Sequence, residues 1–166
     1  MPAAEPSLAK LPFRSAMESG DPDAIVDAFA PDAVLHSPLT SQLAFTGHDQ
    51  IRALTEVILK VVTDLRYTDE VRGEDTAFLV SEARIGGQDI EIADHLRLDP
   101  DGKISEMTVF FRPLPAAAAA LRLIGAGLGR RRSAARGAFI SGMATPLAIM
   151  TKAGDPVGAR LVRSCL

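Results

Sequence analysis

Residues 76–112 constrain the fold more than any other stretch. Two turn signals, Gly86-Gly87 and Asp99-Pro100-Asp101-Gly102, separate three runs in which apolar and polar residues alternate. Period-two alternation broken by such turns predicts antiparallel hairpins. A fourth run, "LRYTDEVRG", precedes them and reads as a further strand, so residues 64–112 form a meander. In "IEIADHLRLDPDG" the stripe Ile90, Ile92, Leu96 and Leu98 is interrupted by Asp94. Glu91, His95, Arg97 and Asp99 fall on the opposite face, toward solvent or a partner. A carboxylate in the middle of an aliphatic stripe needs a reason.

Upstream, the pattern is helical with one strand. "LAKLPFRSAMESG" reads as a helix with Pro12 in its first turn and its end at Gly20. "DPDAIVDAFAPDAV" adds a short helix: Asp21 suits the N-cap, Pro22 the first position and Asp23 the positive end. Ile25, Val26 and Phe29 form its inner face, and Pro31 is expected to stop it. "AVLHSP" is a short strand. "TGHDQIRALTEVILKVV" is a longer helix, with Thr46 and Asp49 placed as a capping box and Ile51, Leu54 and Ile58 on one face. Beyond Pro113, "PAAAAALRLIGAGLG" has helical composition, and "RRRSAARGAFISG" and "DPVGARLVRSCL" are candidate further helices.

Charge marks the boundary between these parts. Residues 1–112 hold 20 acids and 10 bases, whereas residues 113–166 hold 1 acid and 8 bases. The basic "GRRRSAARG" lacks the interleaved aromatics of a nucleic-acid surface. Its expected partner is the acidic body of its own chain or of a second copy. A membrane-surface contact by this segment is the lesser alternative. "GAFISGMATPLAIM" is too short and Pro-interrupted to span a bilayer. The start "MPAAEPSLAKLPF" has no basic, then apolar, leader pattern, and the single Cys165 supports no disulfide framework. A cytoplasmic setting is expected.

"SGDPDAIVDAFAPDAVLHSP", "TGHDQI" and "IEIADHLRLDPDGKISEMTVFFRP" together resemble the SnoaL-like branch of the nuclear-transport-factor-2-like superfamily, which includes ketosteroid isomerases and polyketide cyclases. The resemblance covers roughly residues 8–114. It implies an α+β cone, in which a curved antiparallel sheet is enclosed by N-terminal helices around an apolar pocket. The domains are then 1–114, the cone, and 115–166, a basic Ala/Gly-rich helical extension. On that model Asp94 points into the pocket, where desolvation raises its pKa. The pocket-lining residues are expected to be Phe13, Phe29, Ser37, Ile58, Phe78, Ile92, Leu96, Met107, Val109 and Phe111.

The resemblance also says what is missing. Asp94-His95 matches the Asp-His pair of ketosteroid isomerase, whose neutral carboxyl donates a hydrogen bond to the substrate oxygen; that enzyme is the known case of the device. The position of its general base is Ser37 here, and that of its oxyanion-hole tyrosine is Phe13. Neither can serve, so steroid isomerisation is not expected. His36 is a second catalytic candidate, through an Asp94–His36 relay to water, although alternation puts it on the face away from Ser37. No HxH or HExxH spacing suggests a metal, and no cofactor motif is present. The expected function is binding, with possible conversion, of a small apolar carbonyl or polyketide-like molecule by acid-assisted isomerisation, cyclisation or hydration. The alternative is a non-catalytic ligand-binding or dimerisation module. A homodimer is expected in either case.

Overall fold

The computed structural model describes residues 10–165. The expected start of the first helix, at Leu8 and Ala9, and the N-terminal leader reading lie outside them. Within the described residues five helices and six strands follow in order: α1 (Pro12–Ser19), α2 (Pro22–Asp27), β1 (Phe29–His36), β2 (Ala44–Thr46), α3 (Gly47–Val61), β3 (Val62–Arg72), β4 (Thr76–Ile85), β5 (Gln88–Leu98), β6 (Ile104–Arg112), α4 (Leu114–Arg130) and α5 (Ala134–Arg163). The strands form one curved, unclosed sheet in the order β2-β1-β6-β5-β4-β3. Of these described strands, β1 and β6 run parallel, and every other neighbouring pair is antiparallel.

The turns work as their residues require. Gly86 and Gly87 both have positive φ, 58° and 76°, as a two-residue hairpin turn with the sheet's twist demands. At the next turn Asp99 accepts hydrogen bonds at Oδ1 from the Asp101 and Lys103 amides, and Gly102 takes a φ of 77°. Asp21 caps α2 by accepting from the Asp23 and Ala24 amides. Pro12 and Pro22 each occupy the first turn of a helix, where the missing N–H costs nothing.

Four local expectations are corrected. Helix α2 ends at Asp27, and the strand begins at Phe29, so Pro31 lies inside β1 and does not mark the end of the helix. The ladder to β6 shifts register between Phe29 and Val34, and that irregularity accommodates a residue that cannot donate. The Thr46 side chain makes no capping bond; the Thr46 amide instead donates to Gln50 Oε1 at 3.1 Å. The short strand β2 has no counterpart among the expected elements, because three residues carry too little periodicity. The two expected tail helices are parts of one 30-residue helix, α5, which runs through Pro146 and Pro156.

The glycines of α4 explain how it docks. A methyl at Gly127 would run into the Val57 side chain of α3, and one at Gly129 would lie 2.8 Å from Ile140 of α5. These positions let helix backbones approach closely, which offsets the low helix propensity of glycine. Arg131, just past the end of α4, pairs with Glu56 of α3 at 2.6 Å. Helix α5 is mostly exposed, with Gly137 and Ala144 its buried residues.

Gly127→Val is therefore expected to lower stability by about 1–3 kcal/mol, the usual cost of overpacking. Gly142→Ala, where an added methyl meets nothing within 4 Å, should stabilise by up to about 1 kcal/mol. Thermal melts of the two variants check this; the reverse pair of signs would mean that α4 is not seated on α3.

Candidate functional site

The inner face of the sheet and the helices enclose a cavity of about 160 Å³. It has walls from α1, α3 and the inner sheet stripe, and a mouth at the loop that carries Ser37, Pro38, Leu39, Thr40 and Leu43. Helix α4 closes another side with Leu121, Ile124, Gly125 and Leu128. The lining is overwhelmingly apolar. Its polar side chains are Ser37, Thr40, Thr55, Tyr67, Ser81 and Asp94.

Cross-strand register places the last three. Asp94 pairs with Leu79 on β4 and with Val109 on β6. Ser81 pairs with Ile92 on one side and with Tyr67 on the other. Tyr67, Ser81, Ile92 and Asp94 thus share the inner face, since residues two apart on a strand point the same way. Asp94 is 4% exposed, and its Oδ1 is sealed from solvent with no hydrogen-bond partner among the described residues. Burial alone pushes its pKa up to about 7. The two arginines that could have neutralised it are engaged elsewhere: Arg84 with Asp89 at 3.1 Å and Arg112 with Glu91 at 3.2 Å, all four well exposed. Asp94 is an unpaired carboxyl facing an apolar space, in a setting where the neutral form is favoured.

Nine of the expected residues line the cavity: Phe13, Phe29, Ser37, Ile58, Ile92, Asp94, Met107, Val109 and Phe111. Phe13 and Phe29 meet edge to face with centroids 5.6 Å apart, which fixes α1 against β1. Three expected residues lie elsewhere. Leu96 is on the inner face but fully buried in packed core, outside the cavity lining. Phe78 is one residue off the inner stripe Ala77, Leu79, Ser81; it is 40% exposed on the outer face, 6.4 Å from the His95 ring. His36 also faces outward, with Nε2 3.0 Å from Glu106 Oε1, so no Asp94–His36 relay exists. In both cases strand alternation decides, because a one-residue offset moves a side chain across the sheet.

Sequence reasoning does not place Tyr67 and passes over Ser81 and Thr55. Ser81 carries the same signal as Asp94: a polar residue inside the stripe Ala77, Leu79, Ala83, Ile85. Tyr67 requires the β3–β4 register, which shifts twice along the ladder and cannot be counted off the sequence. Among the described residues no group of His, Cys, Asp and Glu is placed to hold a metal ion, and no helix is long and apolar enough to cross a membrane.

The SnoaL-like domain model matches residues 12–107. A search of curated protein sequences finds no match. Among solved structures, a steroid delta-isomerase from Pseudomonas aeruginosa superposes with a TM-score of 0.62 at 24% identity, over 74% of this chain and 88% of its own. A protein with a cystatin-like fold from Silicibacter pomeroyi gives 0.63 at 21% identity, over 75% and 87%. An epoxide hydrolase/cyclase-like enzyme of pyran ring formation in the polyether salinomycin gives 0.50 at 25% identity, over 60% and 84%. The cone, the open sheet and the match over residues 12–107, which supply most of the cavity lining, lead to one assignment: this chain belongs to the SnoaL-like domain family.

Proposed function

We propose that the cavity binds a small, largely apolar carbonyl or polyketide-like molecule, and that Asp94 converts it by acid-assisted isomerisation, cyclisation or hydration. The observation that carries this reading is Asp94 itself: a buried carboxyl that lines the apolar cavity and whose Oδ1 has no hydrogen-bond partner among the described residues. A purely structural role would leave that oxygen bonded or the space filled. A carboxyl that titrates near neutrality can both give a proton and take one back, which suits general acid–base work. Among the described lining residues Asp94 is the one carboxylate, and no histidine accompanies it. Cyclisation fits this composition best, because the nucleophile then belongs to the substrate and no second catalytic base is needed. The salinomycin enzyme, which acts in pyran ring formation, supports that choice. A dimerisation module remains the competing reading. Its support is the pair of aromatics on the otherwise charged outer sheet face, Phe78 and Phe110, which are 40% and 54% exposed; it does not account for the cavity.

Two measurements test the proposal. Native mass spectrometry of the protein from its own host should show a retained small-molecule adduct. Val109→Trp, which fills the cavity from β6, should abolish it. An adduct that survives Val109→Trp would place the ligand elsewhere.

The second is pH dependence. The folded chain keeps a proton on Asp94 up to about pH 7, while the unfolded chain releases it near the ordinary carboxylate value of 3.8. Stability contributed by this group is therefore full below about pH 4 and is lost as pH rises through 7. The loss is on the order of 4 kcal/mol, at roughly 1.4 kcal/mol for each tenfold change in proton affinity. In Asp94→Asn the stability should be nearly flat over the same window. Equal slopes for the two proteins in denaturant titrations from pH 5 to 8 would refute a neutral Asp94.

A further inference from the structure

Helix α5 carries an apolar stripe that its own chain leaves uncovered. Phe139, Met143, Leu147, Met150, Val157 and Leu161 follow one another at steps of three, four or seven residues, so they share one side of the helix. Each is between 45% and 71% exposed. The side turned to α4 is a different one. Gly137 and Ala144 are buried there, and Ile140 sits against Gly125 and Gly129 of α4. From Lys152 to Cys165 every residue is exposed. Six large side chains in one row make an apolar patch on the order of several hundred Å², the size that marks a contact surface. The far end of α5 also lacks support of its own. Gly154, Pro156 and Gly158 weaken it, and a short helix packed on nothing is marginal in water.

Charge says what covers the stripe. Residues 113–166 hold 8 bases and 1 acid. Among the described residues the acidic body of the chain takes up one of these bases, Arg131, which pairs with Glu56. The others form no ion pair with a described residue. Lys152, Arg160 and Arg163 share the side of α5 that adjoins the stripe, and Arg136 stands one turn before Phe139. Long basic side chains beside an apolar row can reach lipid phosphates while the row enters the acyl boundary. A second copy of α5 would bring the same bases together, so charge favours an anionic lipid surface over self-pairing. Among the described residues no helix is long and apolar enough to cross a membrane, so the contact lies in the plane of the interface.

We propose that α5 is a membrane-surface helix: its stripe enters the headgroup region of an anionic bilayer, Arg136, Lys152, Arg160 and Arg163 meet the lipid phosphates, and the cone is held against the membrane on its α4 side. The proposal stands whatever the cavity binds.

The chain has no tryptophan, so Phe139→Trp installs a single fluorescent reporter in the stripe. Vesicles of phosphatidylcholine alone are compared with vesicles of equimolar phosphatidylcholine and phosphatidylglycerol. The full chain should sediment with the anionic vesicles, and the reporter's emission should move to the blue. Neutral vesicles should produce neither effect at the same lipid concentration. The triple variant Lys152→Gln, Arg160→Gln, Arg163→Gln should bind the anionic vesicles roughly a hundredfold more weakly, at about fivefold for each charge near the surface. Met150→Asp with Leu161→Asp should abolish binding. Both variants should keep the parent's thermal midpoint, because every altered side chain is exposed. Sedimentation equilibrium without lipid should give the aspartate variant the same mass as the parent. A parent that ignores anionic vesicles, or variants that bind them as well as the parent does, would overturn the proposal. A fall in mass on Met150→Asp with Leu161→Asp would overturn it too, by assigning the stripe to a second copy of the chain.

Discussion

The row Leu79–Asp94–Val109 is the constraint on which this molecule depends. It fixes β5 between its two neighbours, and the side-chain period of two does the rest. With that pairing, Ile90, Ile92, Asp94 and Leu96 turn inward, while Glu91, His95 and Arg97 turn outward. A slip of one residue would bury a glutamate, a histidine and an arginine, and would expose four aliphatic or acidic inner residues. No stable core could follow. The two glycine-containing turns guard the register at each end of β5.

Given that register, the cavity follows from helices laid across a curved sheet. Phe13 and Phe29 lock α1 to the first strand, and α3 lays Ile51, Leu54 and Val57 on the inner face. Helix α4 completes the enclosure by approaching α3 at a glycine. Apolar burial drives all of this, and it sets the cost of placing a carboxyl inside. Asp94 meets that cost through a raised pKa, which favours the neutral form, and the proposed proton donation draws on the same condition. Structure and proposed chemistry have one physical cause.

The strands and their faces are legible because alternation and turn chemistry agree over residues 76–112. Asp94 is legible as an exception within a regular stripe. Legibility fails where tertiary context outweighs local pattern. Pro31 reads as a helix stop but sits in a strand at a register shift. Phe78 reads as lining because it is aromatic, yet its parity sends it outward. Tyr67 cannot be placed because β3 carries two irregularities along its ladder with β4. The contribution of α4 to the cavity lining has no local signature either, since an Ala/Gly-rich helix reads the same whether docked or free.

The central claim is that Asp94 is a neutral carboxyl at the wall of an apolar cavity. Its carboxyl carbon can be observed directly by carbon NMR in protein labelled at aspartate, with Asp94→Asn used to assign the resonance. The account predicts a single titration centred on about pH 7. A carboxyl that is already ionised at pH 5, with its midpoint near the ordinary value of 3.8, would contradict it.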